Sequence, residues 1–176
     1  MSIEPDKIYV AYYKPVGVES TLNKNIANNL ADAIPIPERL FPLGRLDKAS
    51  EGLMILTNDG KIYNGVTNSK NQKEKEYEVK VDQLITEDFL QKMSSGIEIM
   101  GQVTKPCEIR KVDEFTFNII LTQGLNRQIR RMCYKLSYEV TNLKRIRIMN
   151  VLLGNLKIGG FRFFTEEEIE GLIKAI

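Results

Sequence analysis

The chain has 176 residues, of which 43% are hydrophobic, and its formal net charge is +2. This length and composition predict one globular domain with a substantial core and exclude a disordered chain. The absence of histidine excludes Ser-His-Asp and Cys-His catalysis and histidine-ligated metal sites. Two widely separated cysteines, Cys107 and Cys133, indicate reduced thiols in a cytoplasmic protein, and no apolar run approaches the length of a membrane span.

Charge is distributed unevenly along the chain. The segment from Asn126 to Arg147 carries seven cations and one acid, a local net charge of +6. From Thr165 onward, four glutamates face one lysine. A basic segment in a nearly neutral chain predicts a surface that binds a polyanion.

The first predicted strand covers Ile8 to Tyr13, which is β-branched and aromatic. Pro15 and Gly17 predict a turn after it, with Lys14 as a cation at its start. Helical spacing then predicts a short surface helix from Asn25 to Ala33.

The central stretch, FPLGRLDKASEGLMILTNDG, runs from Phe41 to Gly60. Asp47 lies two residues after Arg45 in a polar, glycine-punctuated run that leads into an apolar strand from Leu53 to Leu56. An aspartate on a loop beside a buried strand has a rigid support and an open face, which suits a catalytic group. The same pattern also fits turn chemistry, in which Asp47 caps a turn or pairs with Arg45.

The middle of the chain alternates between strands and a helix. Glu76 to Val81 alternates polar and apolar residues, which predicts a strand whose buried face begins with Tyr77. By pattern alone, Tyr77 is an ordinary core aromatic. A helix is predicted from Ile85 to Met93, followed by a hairpin of two strands, Lys105 to Val112 and Phe115 to Leu121.

The basic segment begins with a predicted helix from Arg127 to Leu136, with Asn126 as its N-cap. One stripe of this helix is apolar and predicted to be buried; it comprises Ile129, Met132, Cys133 and Leu136. The opposite face carries Arg127, Arg130, Arg131 and Tyr134. Arginines at a helix N-terminus oppose the helix dipole, which favours an anionic partner, although a solvated arginine face remains the alternative.

A strand is predicted from Tyr138 to Ile148, with Arg145 and Arg147 on one face, and Thr165 caps a final amphipathic helix. Strands mixed with a few helices, without regular βαβ alternation, predict an α+β fold with a mostly antiparallel mixed sheet.

Four sequence blocks, in order, resemble one enzyme family; they are YKPVGVEST, GRLDKASEGLMILTNDG, KEYEV and GLNRQIRRM. The chain resembles the pseudouridine synthases that act on ribosomal RNA, the RsuA/RluB/RluE/RluF family. The run from Thr122 to Val151 is most similar to the RluF branch, which modifies 23S ribosomal RNA. The resemblance implies a bent, mostly antiparallel sheet with flanking helices and a central active-site cleft.

The resemblance also implies roles for individual residues. Asp47 would be the catalytic carboxylate, Arg130 its ion-pair partner, and Tyr77 the ring that stacks on the uracil and helps to remove its C5 proton. Arg45 would enter the RNA. The remaining predicted RNA contacts, to backbone phosphates, are Lys14, Asn126, Arg127 and Arg131.

Isomerisation of uridine involves no redox step and needs no cofactor, but the target nucleotide must leave the helix stack. Many family members carry an RNA-binding domain before the catalytic domain. Because the first predicted strand begins near Ile8, we expect residues 1–176 to be a single catalytic domain without that RNA-binding domain. We also expect a monomer. The sequence does not identify the uridine or say whether tRNA is a second substrate. Two alternatives are a non-catalytic RNA-binding or chaperone module, and a glycosidase that pairs Asp47 with Glu51.

Overall fold

Eleven strands and five helices are formed by the residues that this computed structural model describes, which are 6–34, 36, 39–67 and 73–176. The longer strands are β1 (Tyr9–Lys14), β3 (Glu51–Thr57), β4 (Lys75–Val81), β7 (Glu108–Asp113), β8 (Thr116–Leu121) and β9 (Val140–Ile148). The shorter strands are β2 (Phe41–Pro42), β5 (Glu98–Ile99), β6 (Gln102–Val103), β10 (Val151–Leu152) and β11 (Phe161–Phe163). The helices are α1 (Leu30–Ala33), α2 (Gly60–Thr67), α3 (Glu87–Ser95), α4 (Gln128–Lys135) and α5 (Glu166–Ala175).

One mixed sheet of nine strands forms the body of the molecule, in the order β11-β1-β3-β9-β4-β8-β7, with β2 added to β3 and β10 to β9. Its strand pairs are antiparallel apart from β3 and β9, which run parallel over two residue pairs, Glu51–Lys144 and Gly52–Arg145. This short parallel contact joins the two halves of the sheet. The predicted α+β class with a mostly antiparallel sheet is confirmed.

Apolar side chains of the described residues pack in three clusters around this sheet. Alternation along β1 and β3 sends Tyr13 and Leu53 into one cluster, under α2 and α5, and Tyr12 and Met54 into another on the opposite face. The third cluster lies between β4, β8, α3 and α4. The half-buried ring of Tyr77 packs against the second and third clusters, so it lies where the two halves of the sheet meet.

The helix signals at α3 and α5 are confirmed. Thr86 accepts a hydrogen bond from the backbone N–H of Phe89, and Thr165 forms a capping box with Glu168. The helix predicted from Asn25 is wrong in its start, because α1 begins only at Leu30. Asn28 has a φ of +55°, which a right-handed helix cannot contain, and the Asn29 side chain caps the helix that follows.

The prediction that Arg145 and Arg147 share a face is also wrong. The pairing of β9 with β4 shifts register between Glu76 and Tyr77, so Arg147 pairs with Glu76 and Arg145 with Tyr77. Adjacent residues of a strand point to opposite faces, and the bulge therefore separates the two arginines. Among the described residues, no helix is long and apolar enough to cross a membrane.

Candidate active site

The loop that carries Asp47 is fixed through its backbone carbonyl groups. Five successive carbonyls, from Arg45 to Ala49, each accept a hydrogen bond from elsewhere in the chain or from the end of the loop. The donors, in order, are Arg145 Nη1 (3.3 Å), Ser20 Oγ (2.6 Å), the Ser50 N–H (2.9 Å), the Gly17 N–H (2.7 Å) and Arg130 Nη2 (3.2 Å). A loop with all these carbonyls bonded holds its side chains in a defined position.

Lys14 is one support of this loop. Its side chain is 0% exposed, and its ammonium donates to the carbonyls of Pro15 (2.8 Å), Val18 (2.7 Å) and Lys48 (3.4 Å). Burial lowers the pKa of Lys14 to about 8. The predicted phosphate contact by Lys14 does not fit this position, because all the donor capacity of the buried ammonium is directed to backbone carbonyls.

Arg145 is a second support, at the parallel junction of the sheet. The residue is 2% exposed; its Nε donates to the Leu53 carbonyl (2.8 Å) and its Nη1 to the Arg45 carbonyl (3.3 Å). Gly52, which pairs with Arg145, has a φ of +117°, and a Cβ there would lie 2.3 Å from the Arg145 carbonyl oxygen. Only glycine therefore permits this close approach of β3 to β9.

Asp47 itself faces two arginines from the α4 region. Its Oδ2 lies 3.3 Å from Arg127 Nη1 and 3.8 Å from Arg130 Nε. The Asp47 side chain is 29% exposed, Arg127 45% and Arg130 17%. The predicted pairing of Asp47 with Arg130 is therefore present at ion-pair distance, but Arg127 makes the closer contact. Arg130 also donates to Ser50 Oγ at 3.0 Å, and burial, followed by the charge of Arg127, lowers its pKa.

Arg127 and Arg130, the two arginines that contact Asp47, both lie at the start of α4. Arg127, not the predicted Asn126, occupies the N-cap position, with a left-handed φ of +48° and no side-chain capping bond. Asn126 instead accepts hydrogen bonds from Arg131. The predicted apolar stripe of α4 is confirmed, since Ile129, Met132 and Cys133 are buried.

Tyr77 lies on the same face of the sheet as the Asp47 loop. Its ring packs against the cluster that contains Leu46, the residue before Asp47. Glu51, by contrast, is bonded on the other face, where its carboxylate accepts from Asn142 Nδ2 (2.6 Å) and Tyr13 Oη. Although burial opposes it, these hydrogen bonds lower the pKa of Glu51. This arrangement argues against a glycosidase pair of Asp47 and Glu51.

A basic cleft of about 530 Å³ borders the Asp47 pair; its lining includes Arg127, Arg130, Arg131, Tyr134 and Lys135. The rest of the basic segment does not contribute to this surface. Lys144 is paired with Glu78 (3.5 Å), Arg147 with Glu74 and Glu76, and Arg145 is buried. The cationic surface is thus narrower than the sequence predicted, and α4 with its N-cap supplies most of it. The exposed side chain of Arg45 lies on the Asp47 loop.

Sequence analysis missed the role of Arg145. One available signal was its period-two spacing from Leu143, a buried strand residue, which places the arginine on the buried side. Ser20, whose hydroxyl donates to the Leu46 carbonyl of the Asp47 loop, has no comparable signal in the sequence. Among the described residues, no group of three or more histidine, cysteine, aspartate or glutamate side chains could hold a metal ion.

Comparison with known proteins gives consistent results. A model of the RNA pseudouridylate synthase family matches residues 8–135. The dual-specificity RNA pseudouridine synthase RluF of Escherichia coli (strain K12) is 47% identical over 178 residues, covering 99% of this chain and 61% of that protein. Ribosomal large subunit pseudouridine synthase B of Bacillus subtilis (strain 168) is 31% identical, covering 95% and 72%. The crystal structure of a pseudouridylate synthase superposes with a TM-score of 0.88 at 29% identity, covering 95% and 74%.

Proposed function

Since the chain belongs to the RNA pseudouridylate synthase family, we propose that it isomerises a uridine of 23S ribosomal RNA to pseudouridine, with Asp47 as the catalytic carboxylate. The observation that carries this proposal is the position of Asp47. The aspartate is partly exposed on a loop whose carbonyls are all bonded, and two arginines lie within 4 Å of it. The chain spans about 61% of the length of the RluF relative. The activity and the RNA substrate of the full-length protein are therefore proposed here.

Each step of the proposed reaction can be assigned to residues of the site. The N1–C1′ bond breaks, the uracil turns, and its C5 bonds to C1′ before the C5 proton leaves. During this exchange a carboxylate can act at the sugar or at the base, either as a nucleophile or as a stabiliser of positive charge. Arg127 and Arg130 place two positive charges beside the Asp47 carboxylate. The ring of Tyr77 would stack on the extruded uracil and cover the reacting atoms.

The basic cleft is the proposed path of the RNA. Arg131 and Lys135 are exposed along it and suit backbone phosphates, together with Arg127 and Asn126 at the start of α4. Tyr134 is 73% exposed beside these cations and offers a face for an unpaired base. Arg45 is exposed on the Asp47 loop, as a side chain that enters the RNA to fill the vacated space must be. Large-subunit ribosomal RNA as the substrate is inferred from the name of the Bacillus subtilis relative, ribosomal large subunit pseudouridine synthase B. We further expect a cytoplasmic monomer.

The decisive experiment replaces Asp47 by asparagine, which keeps the shape of the side chain and removes its charge. We expect the formation of pseudouridine in 23S transcripts to fall by at least about 1,000-fold, as for loss of a covalent or charge-stabilising group. Carbodiimide treatment followed by primer extension detects the product. Asp88→Asn, at an exposed ion pair on α3, is the matched control and should retain wild-type turnover.

RNA affinity separates the enzyme from a non-catalytic RNA-binding module. Asp47→Asn should bind RNA within about threefold of wild type, whereas Arg131→Gln should bind more weakly because a phosphate contact is lost. Near-wild-type turnover in Asp47→Asn would remove the aspartate from the mechanism. RNA binding by a wild-type protein that forms no pseudouridine would favour the binding module.

A further inference from the structure

Lys75 is a half-buried cation on the face of the sheet that carries Tyr77. The residue begins β4 and lies two positions before Tyr77, so the two side chains point to the same side. Its cross-strand neighbours, Leu121 and Ile148, are buried and apolar. Within the part of the chain that the structure describes, the Lys75 ammonium makes no hydrogen bond or ion pair.

The surroundings of Lys75 disfavour a charge. Burial lowers the pKa of Lys75, and the neighbouring charge of Arg145 lowers it further. The two nearest carboxylates along the chain do not compensate, because Glu74 and Glu76 both bind Arg147. Arg145 in turn has a buried Nη2 that meets no acceptor among the described residues. A buried guanidinium donor without an acceptor, close to a half-buried cation, costs stability unless an anion joins them.

We propose that Lys75, supported by Arg145, binds the uracil ring of the target nucleotide and stabilises the negative charge that it carries during isomerisation. The inference rests on the proposed function. When the N1–C1′ bond breaks, its electron pair stays on the uracil, and the charge spreads over N1, O2 and O4. Bond formation from C5 to C1′ uses this electron density. Loss of the C5 proton and protonation of N1 then give the neutral product.

A base is a better partner for Lys75 than a backbone phosphate. The exposed cations Arg127, Arg131 and Lys135 lie along the basic cleft, where the RNA backbone can follow the protein surface. Lys75 instead lies half-buried beside Tyr77, the ring proposed to stack on the uracil. A cation placed where charge develops in the reaction stabilises the transition state more than the bound substrate.

The test compares Lys75→Met with Lys75→Arg and with Lys80→Met. Lys80 is exposed on the opposite face of the same strand and controls for loss of one positive charge. We expect Lys75→Met to lower the single-turnover rate on 23S RNA by about 100-fold with RNA affinity within about threefold, as for loss of one oxyanion donor. Lys75→Arg should recover part of the rate.

Thermal unfolding gives a readout that does not depend on turnover. Because Lys75→Met removes a cation beside Arg145, its Tm should rise by at least about 2 °C, the shift for roughly 1 kcal/mol in a chain of this size. A lower Tm would make Lys75 a structural residue and overturn the inference. Weaker RNA binding at an unchanged rate would make it a phosphate contact, with the same result. If the wild-type protein forms no pseudouridine, the proposed function is wrong. The comparison of Tm values would still show whether the charge of Lys75 destabilises the fold.

Discussion

Arg127 and Arg130 share the same oxygen of Asp47 but differ in what else they hold. Arg130 is largely buried, and it bonds the Ala49 carbonyl and Ser50 Oγ, so it stabilises the loop as well as the charge of Asp47. Arg127 is more exposed. Within the described structure, its side chain contacts the loop only at Asp47 Oδ2. The loop geometry therefore depends on Arg130, and Arg127 adds charge at the entrance.

This difference predicts separate effects on stability. We expect Arg130→Met to lower the free energy of unfolding by about 1 to 3 kcal/mol, because the Ala49 carbonyl and the hydroxyl of the buried Ser50 lose a charged donor. Arg127→Met should lower it by less than about 1 kcal/mol, since exposed ion pairs contribute little. Urea unfolding of both variants measures the difference, and turnover should fall in both. Equal losses of stability would show that Arg130 does not support the loop.

Asp47 and Tyr77 could be proposed as site residues from sequence because each lies in a short block that resembles the family. The supports of the loop could not. Lys14 and Arg145 bond carbonyls up to 100 positions away in the chain, and nothing local distinguishes a buried cation beneath a loop from a solvated one. Arg127 shows the same limit, because it occupies the N-cap position with a left-handed backbone and without a side-chain capping bond, which its residue type does not predict.

At the level of elements, the junction of β3 and β9 positions the site. β3 follows directly from the Asp47 loop, and β9 supplies Arg145 beneath it, while β4 places Tyr77 next to Arg145. The parallel pairing is only two residues long, and Gly52 is its point of closest approach. A small change at this junction should therefore disturb both the fold and the loop.

Gly52→Ala tests this dependence. We expect a loss of about 3 to 5 kcal/mol in the free energy of unfolding, because the new methyl group would meet β9 backbone atoms that cannot move independently. Gly154→Ala is the matched control. Gly154 also has a positive φ, +56°, but a Cβ there meets no atom within 4 Å, so about 1 to 2 kcal/mol of backbone strain is expected. Similar losses in urea unfolding would show that the strands can separate without cost.

Elements with strong local signals were predictable from the sequence. The alternation in β4 and the caps of α3 and α5 are properties of a few neighbouring residues. The two-residue strands β2, β5, β6 and β10 were not predicted, because such strands exist only where another segment pairs with them. The bulge in β9 was missed for the same reason, since it is defined against β4.

At the scale of the whole molecule, the mixed, mostly antiparallel character followed from the absence of βαβ alternation, but the strand order did not. The chain places β9 between β3 and β4, so a strand from the last third of the sequence joins β3 from the first third to β4 from the middle. This order brings cations from late in the chain under and beside a loop from its first third. The site is therefore complete only when the whole sheet has formed.

Buried titratable groups across the sheet predict an alkaline optimum of stability. The pKa of Lys14 is lowered by burial from 10.5 to about 8, so between these values the unfolded state binds more protons and stability rises with pH. Lys75 acts in the same direction. Burial raises the pKa of Cys107 from 9.0 to about 11 and that of Cys133 to about 12. Above pH 9 the unfolded state therefore loses these protons first, which lowers stability and opposes the contribution of the lysines.

The free energy of unfolding should accordingly increase from pH 8 to a maximum near pH 9 to 10, with slopes of at most about 1.4 kcal/mol per pH unit for each group. Urea unfolding at intervals between pH 7 and 10.5 measures the curve. Lys14→Met should reduce the increase in the free energy of unfolding above pH 8, because it removes the buried lysine that causes most of this increase. Cys107→Ala should reduce the decrease at higher pH. A curve that declines steadily above pH 8 would mean that Lys14 is not desolvated beneath the loop, and the carbonyl contacts that hold Asp47 would have to come from elsewhere.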